Sequence, residues 1–130
     1  MRNQSQERKN RMSKGLCKFC TQPRLNNHAQ LCEKHFIANS AQWAIKRCNN
    51  QVIEILRQRF YKNPYCHYTG EKLVLGVNTH LDHIQSKKNN PELALDIDNV
   101  EWVSESANLA KNGMNKDEFI QFCKLIASRF

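Results

Sequence analysis

Four residues near the start of the chain have the types and spacing of a metal site. Cys17 and Cys20 form a CxxC pair, and after eleven intervening residues Cys32 and His35 form a CxxH pair. Two short-spaced pairs suit a tetrahedral zinc site, because each pair supplies two corners and the loop between them brings the pairs together. His28 is an alternative fourth ligand, although His35 has the cleaner spacing. With all four positions filled by the protein, such a zinc would be structural or DNA-contacting and not catalytic.

The alternative for these cysteines is that they are reduced and simply buried. The segment that carries them is polar and offers little core in which to bury a thiol. Zinc binding would supply the folding free energy that this segment otherwise lacks. The sequence therefore favours Zn²⁺ as a structural cofactor.

A second group of residues, in the middle of the chain, suits hydrolysis. Asp82 and His83 are neighbours, and Asn108 follows farther along. An imidazole that titrates near neutrality can take a proton from water. A carboxylate and an amide oxygen are hard ligands suited to Mg²⁺ or Mn²⁺, and such a metal offsets the negative charge that builds on phosphorus during phosphodiester hydrolysis. These residue types fit metal-assisted cleavage of a phosphodiester.

Spacing indicates which side chains of this group share a face. Lys111 lies three residues after Asn108, so on a helix both point the same way, and Lys111 would hold a phosphate. His80 lies two residues before Asp82 and shares its strand face, where it either contributes to the site or packs beneath it. His83 directly follows Asp82, so the strand must twist or end there if both serve one site.

Helices and short strands are predicted to position these residues, so the expected fold class is α+β. Apolar residues at helix spacing predict one amphipathic helix from Ser40, its cap, to about Lys62, with Pro64 as the stop. Cys48 is interpreted as a core residue of that helix. The residues on its buried face are predicted to be Ile45, Cys48, Val52, Ile55, Leu56 and Phe60.

The region around the hydrolysis residues has strand and turn signals. Residues 72–77 and 79–84 are predicted to be extended, and 85–98 to form a polar loop. A short strand at 99–103 then leads into a helix over about 104–113. The expected order is two extended segments, a loop, a strand and a helix.

A terminal helix is predicted to begin at Asn115. Glu118 stands three residues after Asn115, which is the spacing of a capping box. An apolar stripe at helical spacing is predicted to pack against the domain, with Cys123 as a small hydrophobic residue. The stripe consists of Phe119, Cys123, Ile126 and Phe130.

The charge of the chain favours a polyanionic partner. Among its 130 residues, 20 Lys and Arg stand against 12 Asp and Glu, a formal charge of +8, and nucleic acid is the leading candidate. Residues 1–14 carry five of the basic side chains, which predicts a flexible basic arm or, alternatively, a terminus that contacts nothing. Solvation is the commoner role of helical charges. The predicted DNA contacts are Arg47, Arg57, Arg59, Lys87 and Lys88.

The start of the chain is polar and basic, unlike a signal peptide, and no segment has the apolar length of a membrane span. We therefore expect a soluble cytoplasmic protein that is not secreted. Its six cysteines are then expected to bind metal or be buried, not to form disulfides.

Three segments resemble the HNH nucleases and occur in that family's order: AspHisIle at 82–84, AsnValGluTrpVal at 99–103 and SerAlaAsnLeuAlaLys at 106–111. CysHisTyrThrGly at 66–70 also resembles the family's entry to this unit, so the resemblance covers residues 66–113. In that family two strands and a helix surround one divalent metal. The resemblance implies a ββα-metal catalytic unit in this chain.

The resemblance also implies a role for each matching residue. Asp82 aligns with the first metal ligand and Asn108 with the second, His83 with the general base, and Asn99 with the asparagine that braces the loop. Lys111 matches a lysine often found one turn after the second ligand. The implied activity is DNA cleavage by water with Mg²⁺ or Mn²⁺, leaving 5′-phosphate and 3′-hydroxyl ends, and small proteins of this kind suggest a phage or mobile-element origin.

The chain departs from the family pattern in one respect. Many HNH proteins carry two further CxxC pairs around the catalytic motif, whereas Cys66 has no partner at that spacing. The catalytic unit is therefore expected to be held by ordinary packing instead of by a second zinc. The residues predicted to provide it are Val74, Leu75, Val100, Trp102 and Val103.

The predicted organisation is a basic arm at 1–14, a zinc-binding module at 15–38, a helical linker at 39–63 and an HNH nuclease domain at 64–130. One active site cuts one strand, so double-strand cleavage would need a homodimer or two successive nicks. Two alternatives remain open: a nuclease specific for branched DNA, and a non-catalytic zinc-containing DNA-binding protein.

Overall fold

The computed structural model describes residues 3–26 and 29–130, so Arg2 and His28 lie outside the described residues. Within them the chain forms five α-helices and a two-stranded antiparallel sheet, an α+β fold as predicted. Two short 3₁₀ turns, Pro91–Leu93 and Ile97–Asn99, interrupt the loop between the strands. The elements are α1 (Gln4–Ser13), α2 (Glu33–Ile45), α3 (Asn50–Lys62), β1 (Thr79–His83), β2 (Val100–Ser104), α4 (Glu105–Lys111) and α5 (Lys116–Ala127).

Two helices, α2 and α3, replace the single helix predicted from Ser40 to Lys62. Lys46 ends α2 in the left-handed conformation, with φ of 58°. Asn49 then caps α3 by accepting a hydrogen bond from the Val52 amide. Asparagine at the N-cap satisfies one of the amide groups that the first helical turn leaves without a partner, so the chain starts a new helix there.

This break corrects two residue predictions. Ser40 lies inside α2, where its hydroxyl donates to the Phe36 carbonyl, and it caps nothing. Cys48 falls in the connection between the helices and is exposed, not in the core.

The sheet lies between two layers of helix. β1 and β2 pair so that Asp82 lies opposite Glu101 and His83 opposite Val100. On one face Trp102 packs beside Phe60 and its indole N–H donates to the Leu56 carbonyl of α3. On the other face α4 packs against both strands. The buried core is formed by Ile37, Ala41, Ile45, Val52, Ile53, Leu56, Phe60, Cys66, Leu73, Leu75, Val100, Trp102, Val103 and Ala107.

The segment before β1 is mostly turn, whereas 72–77 was predicted to be extended. Only Lys72 makes a strand-like bridge, with Tyr65. The Asn78 side chain accepts from the Val74 amide and donates to the Lys72 carbonyl, which folds the segment back on itself. Leu75 is buried as predicted, but Val74 is about half exposed, so its predicted packing role is wrong.

The terminal helix confirms one prediction and corrects another. Asn115 and Glu118 form the predicted capping box at the start of α5. Phe119 is buried and meets the Tyr68 ring edge to face. Cys123, however, is exposed, so only the first turn of the predicted stripe packs. Ile126 and Phe130 are exposed as well.

The residues predicted as a flexible basic arm contain a helix, α1. Asn3 caps it by accepting from the Ser5 and Gln6 amides. Arg11 ties it to the predicted zinc-binding module by donating two hydrogen bonds to the Lys18 carbonyl. No helix among the described residues has the length and apolar character needed to cross a bilayer.

Candidate functional site

The four predicted zinc ligands converge. Ligand atoms of Cys17, Cys20, Cys32 and His35 all lie within 4.8 Å of one another. Cys20 Sγ and Cys32 Sγ are 3.7 Å apart, and His35 Nδ1 lies 3.5 Å from Cys17 Sγ and 3.3 Å from Cys32 Sγ. A tetrahedral zinc with ordinary bond lengths places two sulfurs about 3.8 Å apart and a sulfur and a nitrogen about 3.6 Å apart. The cluster therefore fits a zinc ion.

Local backbone structure explains why the ligands meet. Leu16 bridges Pro23 in a strand-like contact, and the Cys17 amide donates to the Gln22 carbonyl, which closes the CxxC turn. Cys32 is the N-cap of α2 and His35 lies in its first turn, so a helix start presents the second pair.

Hydrogen bonds from the backbone prepare the thiols for ligation. The Phe19 amide donates to Cys17 Sγ and the Gln22 amide to Cys20 Sγ, each at 3.4 Å. Burial opposes ionisation of Cys17, but hydrogen bonds, first from the Phe19 amide and then from Cys32 and Cys20, hold the pKa of its thiol below the ordinary 9.0. Burial raises the pKa of Cys32 to about 11, so zinc binding must displace a proton from that thiol.

The predicted hydrolysis residues lie where β1 meets α4. The ammonium of Lys111 lies 2.9 Å from Asp82 Oδ2 and also donates to the His83 carbonyl oxygen. Lys111 is only 2% exposed. Its ammonium therefore positions the Asp82 carboxylate, whereas the sequence predicted that it would hold a phosphate.

A second link joins the same two elements. Asn108 Nδ2 on α4 donates to His80 Nδ1 on β1 at 2.9 Å. His80 and Asp82 are two residues apart on β1, so their side chains lie on the same face of the strand. Asn108 and Lys111 are about one turn apart on α4, so they lie on the same face of the helix. The His80–Asn108 and Asp82–Lys111 contacts are therefore two adjacent cross-links between strand and helix.

His83 is the last residue of β1, which is where the sequence required the strand to twist or end. Its Nε2 donates to the Ala94 carbonyl oxygen at 2.9 Å. Because a carbonyl oxygen can only accept, Nε2 carries the proton and Nδ1 of the neutral ring keeps its lone pair. The ring is thus held in one tautomer with one nitrogen able to accept a proton.

Asn99 makes a dense set of hydrogen bonds with the loop between the strands. Its amide group donates to the Gln85 and Leu93 carbonyls, at 3.0 and 3.1 Å, and its oxygen accepts from the Gln85 amide at 2.9 Å. The residue is buried. Asn99 therefore ties the end of the loop to Gln85 at its start and to Leu93. Leu93 directly precedes Ala94, whose carbonyl oxygen accepts the hydrogen bond from His83.

The predicted DNA-contacting residues differ in whether their charged groups contact other groups of the protein. Arg57 pairs with Glu33 and Glu54 and Arg59 with Asp98, while Arg47 donates to the Leu95 carbonyl. The three arginines are therefore engaged in contacts within the protein, which the sequence did not indicate, and Arg47 makes no ion pair among the described residues. Lys87 and Lys88 are exposed in the loop after β1.

Three features of this region were not singled out from sequence. Ala94 acts through its backbone carbonyl, which carries no sequence signal. Glu101 Oε1 and Tyr68 Oη are buried and have no hydrogen-bond partner among the described residues. Burial, then the negative charge of Glu101, raises the pKa of Tyr68.

Comparisons of the chain with known protein families, with curated proteins and with solved structures found no match. A functional assignment therefore depends on the geometry of the two clusters described above.

Proposed function

We propose that this protein is a metal-dependent DNA endonuclease of the HNH type, with Asp82 and Asn108 as ligands of one divalent metal and His83 as the general base. The observation that carries the proposal is the pair of cross-links between β1 and α4, which set Asp82 and Asn108 on facing elements. Two antiparallel strands followed directly by a helix are also the order of a ββα unit.

The donor set fits a hard cation. Asp82 and Asn108 both present oxygen, and both are partly buried. A carboxylate has two oxygens, so the ion pair that Lys111 makes with one of them leaves the other for a metal. Mg²⁺ or Mn²⁺ bound there would offset the negative charge that develops on the phosphate.

His83 suits the role of base because of its tautomer. Its Nε2 is held by the Ala94 carbonyl, so Nδ1 takes a proton from water as the water oxygen attacks phosphorus. The bond from phosphorus to the 3′ oxygen then breaks, that oxygen takes a proton from solvent water to leave as a hydroxyl, and His83 returns its proton to solvent. The products are a 5′-phosphate and a 3′-hydroxyl.

The surroundings support a DNA substrate. Lys87 and Lys88 are exposed and follow β1 in the loop that Asn99 braces, so they lie near the end of the strand that carries His83. Together with a chain charge of +8, they would contact phosphates on either side of the cleaved bond, and binding should weaken as salt rises. Zinc in the Cys17 cluster would stabilise the adjoining module.

One observation favours a second candidate, a non-catalytic zinc-containing DNA-binding protein. The buried ammonium of Lys111 already pairs with Asp82, so the carboxylate has a partner without a metal. In such a protein the ion pair would serve stability alone.

Incubation of the zinc-loaded full chain with supercoiled plasmid, in EDTA, Mg²⁺ and Mn²⁺, tests the proposal. We expect nicking that requires the added metal. DNA binding without nicking under every metal condition would instead support the second candidate. A parallel comparison of linear duplex with a four-way junction tests whether the enzyme acts on branched DNA.

A further inference from the structure

We infer that His80 is a positioning residue that fixes which end of the Asn108 amide is available to the catalytic metal. The inference rests on the proposed function and adds to it a residue that holds a ligand in place. Its basis is the contact between Asn108 Nδ2 and His80 Nδ1, which joins residues 28 apart in the chain at 2.9 Å.

An amide ligand needs such a partner because its two ends have nearly the same shape. Only the oxygen can bind a cation, since the NH₂ end has no lone pair to offer. A side-chain amide that is free to turn over would present either end. A fixed hydrogen bond from the NH₂ group removes one orientation, as outer partners of metal ligands commonly do.

His80 has the chemistry to impose that choice. Its Nδ1 accepts from the Asn108 amide, so the neutral ring carries its proton on Nε2. Nitrogen and oxygen lie on opposite sides of the amide carbon, so tying Nδ2 to His80 turns Oδ1 away from the ring. The oxygen is then available to a cation that Asp82 also binds.

The second cross-link, between Asp82 and Lys111, shows the same relation between a proposed ligand and a partner residue. Asp82 is held by Lys111 just as Asn108 is held by His80, and both links span the gap between β1 and α4. Each proposed ligand thus has its own partner on the opposite element. A histidine that merely filled space would not need to accept a hydrogen bond from a ligand.

The experiment measures Mn²⁺ affinity of the zinc-loaded full chain by titration calorimetry, with plasmid nicking and thermal unfolding in parallel. His80→Leu should weaken Mn²⁺ binding about 10–100-fold, the usual effect of losing an outer partner. His80→Gln should recover part of the loss, because its carbonyl oxygen can accept from Asn108. His67→Leu is the matched control, since His67 is exposed and makes neither cross-link.

A double substitution separates orientation from packing. Asp at position 108 offers an oxygen from either side of its carboxylate, so it needs no partner to orient it. In the Asn108→Asp background we expect His80→Leu to change Mn²⁺ affinity less than about threefold, well below the tenfold or greater effect expected in the wild type.

The outcomes separate this inference from the proposed function. If the wild type nicks DNA and His80→Leu binds Mn²⁺ as well as the wild type does, the inference is overturned and the nuclease proposal stands. An equal loss of affinity with Asn or Asp at position 108 would overturn it too, because the effect would then be structural. A wild type that neither binds Mn²⁺ nor nicks DNA would overturn both.

Discussion

Asn99 illustrates how one side chain stabilises a whole loop. It is buried and makes three hydrogen bonds with the backbone of Gln85 and Leu93. Backbone groups that are buried must find partners, and here an asparagine side chain supplies them in place of a strand. The carbonyl that fixes His83 belongs to the same loop, so its position depends indirectly on Asn99.

Replacing Asn99 with Ala should therefore cost about 1–3 kcal/mol of stability, because buried backbone groups lose their partners. We expect the Gln85 amide to exchange faster with solvent in the variant, as measured by hydrogen exchange. Asn89→Ala is the control, since Asn89 is exposed and makes one long hydrogen bond, to Glu118. Equal exchange at Gln85 in the wild type and Asn99→Ala would contradict the bracing role.

Sequence reasoning reached residue types at this scale but not their partners. The convergence of Cys17, Cys20, Cys32 and His35 was predicted correctly, because two short-spaced pairs joined by a loop can bring four ligand atoms together. For Lys111 the spacing correctly predicted the helix face on which its charge lies. The spacing did not predict that the side chain is buried and that its ammonium pairs with Asp82. Contacts to backbone atoms, such as that of His83 with Ala94, are independent of side-chain identity and leave no trace in the sequence.

Gly76 shows how the elements fit together. It lies in the turn before β1 with φ of +80°, and a Cβ there would stand 3.1 to 3.3 Å from Leu25, Asn26 and Ala29. The Asn26 side chain also donates to the Gly76 carbonyl. The segment between the two cysteine pairs therefore packs directly against this turn, and only glycine fits both the conformation and the space.

Gly76→Ala should be more destabilising than Gly113→Ala. Both positions have positive φ, which costs a side chain roughly 1–2 kcal/mol, but nothing lies within 4 Å of a Cβ at Gly113. We expect the melting temperature to fall further for Gly76→Ala. Equal losses in the two variants would mean that the close packing against Leu25 contributes nothing.

Helices α2 and α3 are joined by a pH-sensitive contact. Glu33 accepts hydrogen bonds from Arg57 and from the Tyr61 hydroxyl, each at 2.5 Å. Burial alone would raise the pKa of Glu33, but these bonds and the Arg57 charge hold it below the ordinary value of 4.5. A lowered pKa means that the ionised carboxylate stabilises the folded state at neutral pH.

Glu33→Gln should consequently lower the melting temperature at pH 7. The difference from the wild type should stay constant down to about pH 4.5 and shrink below it, as the carboxyl group becomes protonated in the folded protein. Thermal unfolding between pH 7 and pH 3 measures this, with the exposed Glu92→Gln as control. A difference that is independent of pH would contradict the role of the charge.

The boundaries of a helix were predictable where its capping residues agreed with the apolar spacing of the sequence. Asn115 and Glu118 gave the start of α5 correctly. Between Ser40 and Lys62, however, the apolar spacing continues through the break, and the cap at Asn49 decided the outcome. The apolar stripe of α5 was recognised, but periodicity cannot tell whether a neighbouring element covers it, and Ile126 and Phe130 are exposed.

At the scale of the whole molecule, the proposed protein holds two metals with separate roles. Zinc should protect its ligand thiols, whereas Cys48 and Cys123 are exposed. With zinc bound we expect only these two exposed cysteines to react rapidly with a thiol reagent, and Cys17, Cys20 and Cys32 to join them once a strong chelator removes the zinc. Buried Cys66 is the internal control. Rapid reaction of the Cys17 cluster in a preparation holding one zinc per chain would contradict the site.

The proposed function makes His83 the general base in metal-dependent cleavage of DNA. The most direct measurement is the initial nicking rate of zinc-loaded wild type and His83→Ala in Mg²⁺, with DNA affinity measured on the same samples and His67→Leu as the control for losing a histidine. We expect His83→Ala to nick DNA about 10²–10⁴-fold more slowly than the wild type while binding DNA with unchanged affinity. Equal nicking rates for wild type and His83→Ala would contradict it.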